Sequence, residues 1–200
     1  KIGTNATMDN LENAQTTQPA YHLRGTVVLV GMMGSGKTAI GRAMAMKLGV
    51  PYVDSDAEIE AAANATIAEI FARSGEPFFR NREAEVIARL LQSDPCVLST
   101  GGGAYLAERN RAAISKHGVA VWLDADLDLL WERVQHKDTR PLLRTPDPRK
   151  TLGEIFKDRA PIYQMVALRV EAKPEFSIDE MTVEVLRVLA TRADVLEPVT

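Results

Sequence analysis

Cysteine is almost missing from this chain. Cys96 is the only one, so no intrachain disulfide can form, and the sequence suits a reducing compartment. Set in the run Cys96-Val97-Leu98, it reads as a buried core thiol rather than a reactive one. No apolar run approaches the length of a membrane span. An excess of one charge is also lacking. The 24 basic residues face 27 acidic ones, a net charge of −3, which argues against a general nucleic-acid binder but leaves room for a local pocket of arginines. Residues 1–24 lack the apolar centre of a secretory signal, and they contain Asp9 and Glu12, where an organelle transit peptide avoids acids. They are expected to form a disordered tail. Together these absences point to a cytoplasmic protein with no membrane and no nucleic acid among its partners. With no heptad stripe or interface motif either, a monomer is the expected state.

What is present starts with apolar side chains. They make up 46% of 200 residues, enough for the core of one domain, expected over residues 25–193 with a frayed end at 194–200. The stretch Gly31-Met32-Met33-Gly34-Ser35-Gly36-Lys37-Thr38 fits G-x-x-x-x-G-K-[ST], the phosphate-binding loop. Its flanks suit the motif. Thr26 to Val30 is an apolar, β-branched run of strand length. Ile40, Ala43, Met44 and Leu48 then recur at helical spacing before Gly49. The glycines allow a tight turn that aims backbone N–H groups at an anion, and the helix N-terminus adds further donors. Gly34, Ser35, Gly36, Lys37, Thr38 and Ala39 are therefore the candidate nucleotide contacts. Lys37 supplies a point charge by the transferable phosphate, and the Thr38 hydroxyl is placed to ligate one Mg²⁺. The loop implies a nucleoside triphosphate. It does not name the acceptor.

Strands and helices alternate along the rest of the chain. Strands are expected at Pro51–Asp54, Cys96–Ser99, Val119–Leu123 and Leu168–Glu171. Between them lie helical patterns. One runs through Ile59, and one opens on the capping box Thr66-Ile67-Ala68-Glu69 and breaks at Ser74-Gly75-Glu76. Others cover about 77–91, 104–116, a stretch with Leu127, Leu130 and Val134, and a stretch from Leu152 towards Val166. The last has Ile178, Met181, Val185, Val188 and Leu189 on one face. Residues 137–150 carry Pro141, Pro146 and Pro148 among arginines, and are expected to be a lid that covers the nucleotide. Uniformly apolar strands are covered on both faces, so the fold class is three-layer α/β with a parallel sheet. Ligands then bind outside the carboxyl ends of the strands.

Three of those ends carry unusual residues: the loop, Asp54/Asp56, and Thr100-Gly101-Gly102-Gly103. On an extended chain, Asp54 and Asp56 point the same way. One is suited to hold Mg²⁺ and the other to accept the proton of an acceptor hydroxyl, although either also suits helix capping. The glycine triplet lets a ligand approach bare backbone. Arg80 and Arg159 are candidates for two-point binding of a carboxylate, which lysine does not reproduce.

These motifs together resemble the shikimate kinase family. The resemblance rests on Gly36-Lys37-Thr38, Asp54-Ser55-Asp56, Phe79-Arg80, Thr100 to Gly103, Thr139 to Leu143, and Arg159-Ala160-Pro161-Ile162-Tyr163, in that order from about residue 26 to 190. It implies a nucleoside-monophosphate-kinase-like P-loop fold with a five-stranded parallel sheet, and transfer from ATP to the 3-hydroxyl of shikimate. It implies that Asp56 holds the shikimate hydroxyls and acts as base, with Arg80 and Arg159 on the shikimate carboxylate and Gly101, Gly102 and Gly103 lining the acceptor pocket. Arg140 would come from the lid onto the ATP phosphates, as a catalytic and nucleotide-binding residue beside Lys37. Thr38 and Asp54 would manage Mg²⁺, and Arg133 and the stretch near Pro174 would border adenine. Rival readings are a related small-acid kinase, such as a gluconate kinase, and a nucleotide-dependent switch. The Asn-Lys-x-Asp base-reading motif of guanine switches is absent from the sequence.

Overall fold

A computed structural model describes residues 21–136 and 141–199. Five strands make a parallel sheet: β2 (Thr26–Val30), β3 (Tyr52–Asp54), β4 (Val97–Ser99), β5 (Gly118–Asp124) and β6 (Leu168–Glu171), in the order β3-β4-β2-β5-β6. All four pairings are parallel, with Leu29 opposite Ser99 on one side and Val121 on the other. β2 is central and buried at every position, which is why its sequence does not alternate. The helices α1 (Lys37–Leu48), α2 (Ser55–Ala63), α3 (Ile67–Leu90), α4 (Glu108–His117), α5 (Leu127–Val134), α6 (Pro148–Tyr163) and α7 (Ile178–Leu189) complete the α/β fold. No helix among the described residues is long and apolar enough to cross a membrane.

Local signals account for several boundaries. Gly49 ends α1 in the left-handed region, at φ 64°, where its N–H reaches the last carbonyls. Thr66 and Glu69 form the expected capping box, and Gly75, at φ 77°, breaks α3 where Ser74-Gly75-Glu76 predicts it.

Other expectations need correction. Tyr21–Leu23 (β1) and Leu196–Pro198 (β7), assigned from sequence to the tail and the frayed end, pair as an antiparallel ribbon. Residues 1–20 lie outside the described residues. Each ribbon strand has three residues, and paired residues lie 173 (Leu23 with Leu196) to 177 (Tyr21 with Pro198) positions apart, so no local pattern announces it. Leu23, Val195 and Leu196 are nonetheless buried. The helix expected near Leu152 begins at Pro148. There proline occupies the first turn and the Asp147 side chain accepts the Lys150 N–H, so this proline starts a helix rather than breaking one. The rest of the expected lid contains a short 3₁₀ turn at Pro141–Leu143. The helix expected from Ala104 is a 3₁₀ turn at Ala104–Leu106 followed by α4.

Candidate active site

β3, β4 and β2 are adjacent in the sheet, so their carboxyl ends lie side by side. A cavity of about 480 Å³ opens there, lined by Gly34, Gly36, Lys37, Thr38 and Ala39 from the loop and α1, by Asp54 and Asp56, and by Gly101 and Gly102.

The loop turns through three glycines of positive φ: Gly31 at 141°, Gly34 at 84° and Gly36 at 97°. Gly34 is also tight against α5, where an added Cβ would lie 2.8 Å from Val134 Cγ1. Lys37 Nζ folds back to donate to the Gly31 and Met32 carbonyls at 2.8 and 2.9 Å. Its charge is thus stored over the loop. Thr38 and Ala39 are exposed in the first turn of α1, whereas the Ser35 hydroxyl is buried with no hydrogen-bond partner among the described residues.

Asp54 and Asp56 reach the cavity by a different geometry from the one the sequence suggests. Only Asp54 is extended. It caps α2, its Oδ1 accepting the Asp56 N–H at 3.0 Å, while Tyr52 donates its hydroxyl to Oδ2 at 3.2 Å. Asp56 sits in the first turn of α2, and the strand-to-helix corner brings both carboxylates together. Asp56 Oδ1 is buried and has no partner among the described residues. Its carboxylate lies over Gly101, where an added Cβ would be 2.8 Å from Oδ1. Burial first, then the charges of Asp54 and Glu83, push its pKa up to about 6, against the opposing pull of Lys37.

Arg80 follows the Gly75 break on α3. Its Nη1 donates to both oxygens of Glu83 at 3.0 and 2.9 Å, and Glu76 accepts from the other side. Glu83 is 1% exposed, and burial raises its pKa against the pull of Arg80. The guanidinium presses on Gly103, where an added Cβ would meet Nη2 at 2.7 Å. Arg159 Nη1 lies 3.2 Å from the corresponding point on Gly102. The two arginines therefore flank neighbouring glycines of one triplet. The sequence assigns no role to Glu83 or to Tyr163, although Tyr163 closes the motif that begins at Arg159. Their only signals are the spacings Arg80-x-x-Glu83 and Arg159-x-x-x-Tyr163, which place each pair on one helical face.

At the other end of the cavity Arg133 donates to the Gly34 carbonyl at 3.3 Å, and Phe176 and Ile178 supply apolar surface. Ile178, expected in the core face of α7, is 54% exposed at this wall. Arg140 lies outside the described residues. The oxygen donors at the cavity, the Thr38 hydroxyl and the Asp54 carboxylate, suit Mg²⁺, a hard ion that takes few protein ligands and completes its shell with water and substrate phosphates. No cluster of three or more His, Cys, Asp or Glu able to hold a metal by itself occurs among the described residues.

Comparison with known proteins is consistent with this geometry. A family model described as shikimate kinase matches residues 33–190. A shikimate kinase of Ruegeria pomeroyi is 64% identical over 178 residues, covering 89% of this chain and 91% of the relative. One of Cereibacter sphaeroides is 62% identical over 180 residues, 90% of each. A solved shikimate kinase from Acinetobacter baumannii, in complex with shikimate, superposes with a TM-score of 0.78 at 34% identity, covering 84% of this chain and 93% of that one. A gluconokinase from Sinorhizobium meliloti has a TM-score of 0.58 at 19% identity over 86% and 95% of the two chains, a likeness of fold alone.

Proposed function

The chain belongs to the shikimate kinase family, and we propose that Asp56, Arg80, Arg159, the glycine triplet and the phosphate loop are the parts that carry its reaction. It moves the γ-phosphate of ATP to the 3-hydroxyl of shikimate, giving shikimate 3-phosphate and ADP. The observation that best supports the residue assignment is the Asp56 carboxylate. It is buried over Gly101, feels the charge of Lys37, and lies beside the two glycines that Arg159 and Arg80 abut.

Phosphoryl transfer needs alignment and charge neutralisation more than covalent chemistry. The loop N–H groups and the end of α1 receive the ATP phosphates. Lys37 exchanges the Gly31 and Met32 carbonyls for phosphate oxygens. Arg80 and Arg159 hold the shikimate carboxylate from two directions, and Glu83 keeps Arg80 from swinging away. This fixes the ring so that its 3-hydroxyl faces Asp56. The hydroxyl oxygen attacks the γ-phosphorus, its proton passes to Asp56, and the bond to the bridging oxygen breaks as ADP leaves. An Asp56 pKa of about 6 leaves the group mostly ionised at pH 7 but more basic than an ordinary carboxylate, as a proton acceptor should be. Arg140 neutralises charge on the transferring group. Mg²⁺ held by Thr38 and Asp54 would supply further neutralisation of the ATP phosphates. Arg133, Phe176 and Ile178 border the base. A monomer working in the cytoplasm, with ATP and shikimate as its only partners, completes the reading, and analytical ultracentrifugation tests the first point.

The primary test is ADP release from Mg·ATP with shikimate, with gluconate, and with neither. Stimulation by shikimate alone is the expected result. Equal stimulation by gluconate, or stimulation by neither acid, overturns the acceptor assignment.

A further inference from the structure

Tyr163 has no part in the transfer described above, yet it is bonded into the acceptor pocket. It is 1% exposed at the end of α6, and its hydroxyl donates to the Gly102 carbonyl. Arg159 stands one helical turn earlier, so both side chains leave the same face of α6. The Arg159 guanidinium lies against the Tyr163 hydroxyl and also faces Gly102. The ring is braced from behind by Trp122, at the carboxyl end of β5, with centroids 6.2 Å apart.

The glycine triplet shows what this contact does. The Gly101 carbonyl accepts the Ala104 N–H at 3.0 Å, and the Gly103 carbonyl accepts the Leu106 N–H at 3.1 Å. The Gly102 carbonyl is not part of that turn, and Tyr163 supplies its partner. All three carbonyls, which would repel an anionic ligand, are thus engaged by donors of the protein. In a trans peptide the C=O and the following N–H point in opposite directions. Holding the Gly102 carbonyl towards α6 therefore directs the Gly103 N–H away from it. Glycine has the backbone freedom to rotate this peptide if nothing restrains it.

We propose that Tyr163 is a positioning residue for the acceptor, fixing the Gly102–Gly103 peptide and the Arg159 guanidinium in the orientation that receives the shikimate carboxylate. It touches neither substrate and acts through these two groups. The proposal rests on the acceptor assignment above.

Tyr163→Phe keeps the ring against Trp122 and removes only the hydroxyl. Steady-state kinetics with each substrate varied, together with thermal melting, test it in the full chain. One neutral hydrogen bond corresponds to roughly a fivefold to tenfold effect. The expected result is a rise of that size in KM for shikimate, with KM for ATP and kcat within about twofold of the parent. Calorimetric titration with shikimate should show the same loss. A core tyrosine without this role would lower the melting temperature and leave the ratio of the two KM values unchanged. That outcome overturns the proposal, as does an equal rise in both KM values. If the parent protein itself shows no shikimate-dependent turnover, the acceptor assignment fails first and the proposal falls with it.

Discussion

Replacing Asp56 by Asn should abolish turnover and yet stabilise the protein. The structure places this carboxylate in a buried setting beside Asp54 and Glu83, with one oxygen unpartnered among the described residues, and raises its pKa from 3.8 to about 6. A rise of roughly two units at 1.36 kcal/mol each corresponds to ~3 kcal/mol of destabilisation when the group is charged, reduced to about 2 kcal/mol by its partial access to solvent. The sign follows from linkage. The native pKa lies above the unfolded one, so the stability contribution is full below about pH 3.8 and is lost as pH rises through about 6. At pH 8 the native state bears the whole cost. Asn carries no charge at any pH, and the buried Oδ1 has no hydrogen bond to lose among the described residues. Asp56→Asn should therefore melt about 4–8 °C higher than the parent at pH 8, an advantage that shrinks to nothing near pH 4. Differential scanning fluorimetry across that range, with ADP release and ATP binding measured on the same samples, is the assay. Turnover of the parent should fall with a one-proton slope below about pH 6. A variant less stable than the parent at pH 8, or equally stabilised at pH 4 and pH 8, refutes the electrostatic reasoning. Near-normal turnover refutes the role of Asp56 as proton acceptor.

Three further outcomes follow from the same geometry. Arg80→Ala removes the partner of a carboxylate that is 1% exposed, so it should cost about 3 kcal/mol as well as weakening shikimate far more than ATP. Adding Glu83→Gln should restore most of the melting temperature but not the acceptor affinity, and recovery of both would show that Arg80 is only structural. Gly101→Ala places a methyl group 2.8 Å from Asp56 Oδ1 and should displace the carboxylate, with turnover lost and ATP affinity kept on titration. Leu196→Ala, at a fully buried position in the terminal ribbon, should cost about 2–5 kcal/mol on denaturant unfolding while kcat and both KM values stay unchanged, because the ribbon adjoins the amino end of β2, opposite the site.

Short-range physics made much of this protein legible from its residues. The phosphate loop needs glycines at fixed positions before a helix, and Gly31, Gly34 and Gly36 do take positive φ there. Thr66 with Glu69, Gly49 and Gly75 punctuate helices through bonds made within a few residues, and the uniformly apolar β2 announces a strand covered on both faces. From those patterns come the α/β class, the order of the sheet's elements and the edge at which the cavity opens. Tertiary structure decided what depends on distant chain segments. Pairing of β1 with β7 spans the whole described chain, and Ile178 leaves the core pattern of its helix to face a cavity. The burial of Glu83, the seating of Arg80 and Arg159 on Gly103 and Gly102, and the hydroxyl of Tyr163 on the triplet arise only when α3, α6 and the end of β4 meet. The cost of a buried charge depends on every neighbour that displaces water. A motif could therefore name Asp56, but only the assembled fold could raise its pKa to about 6.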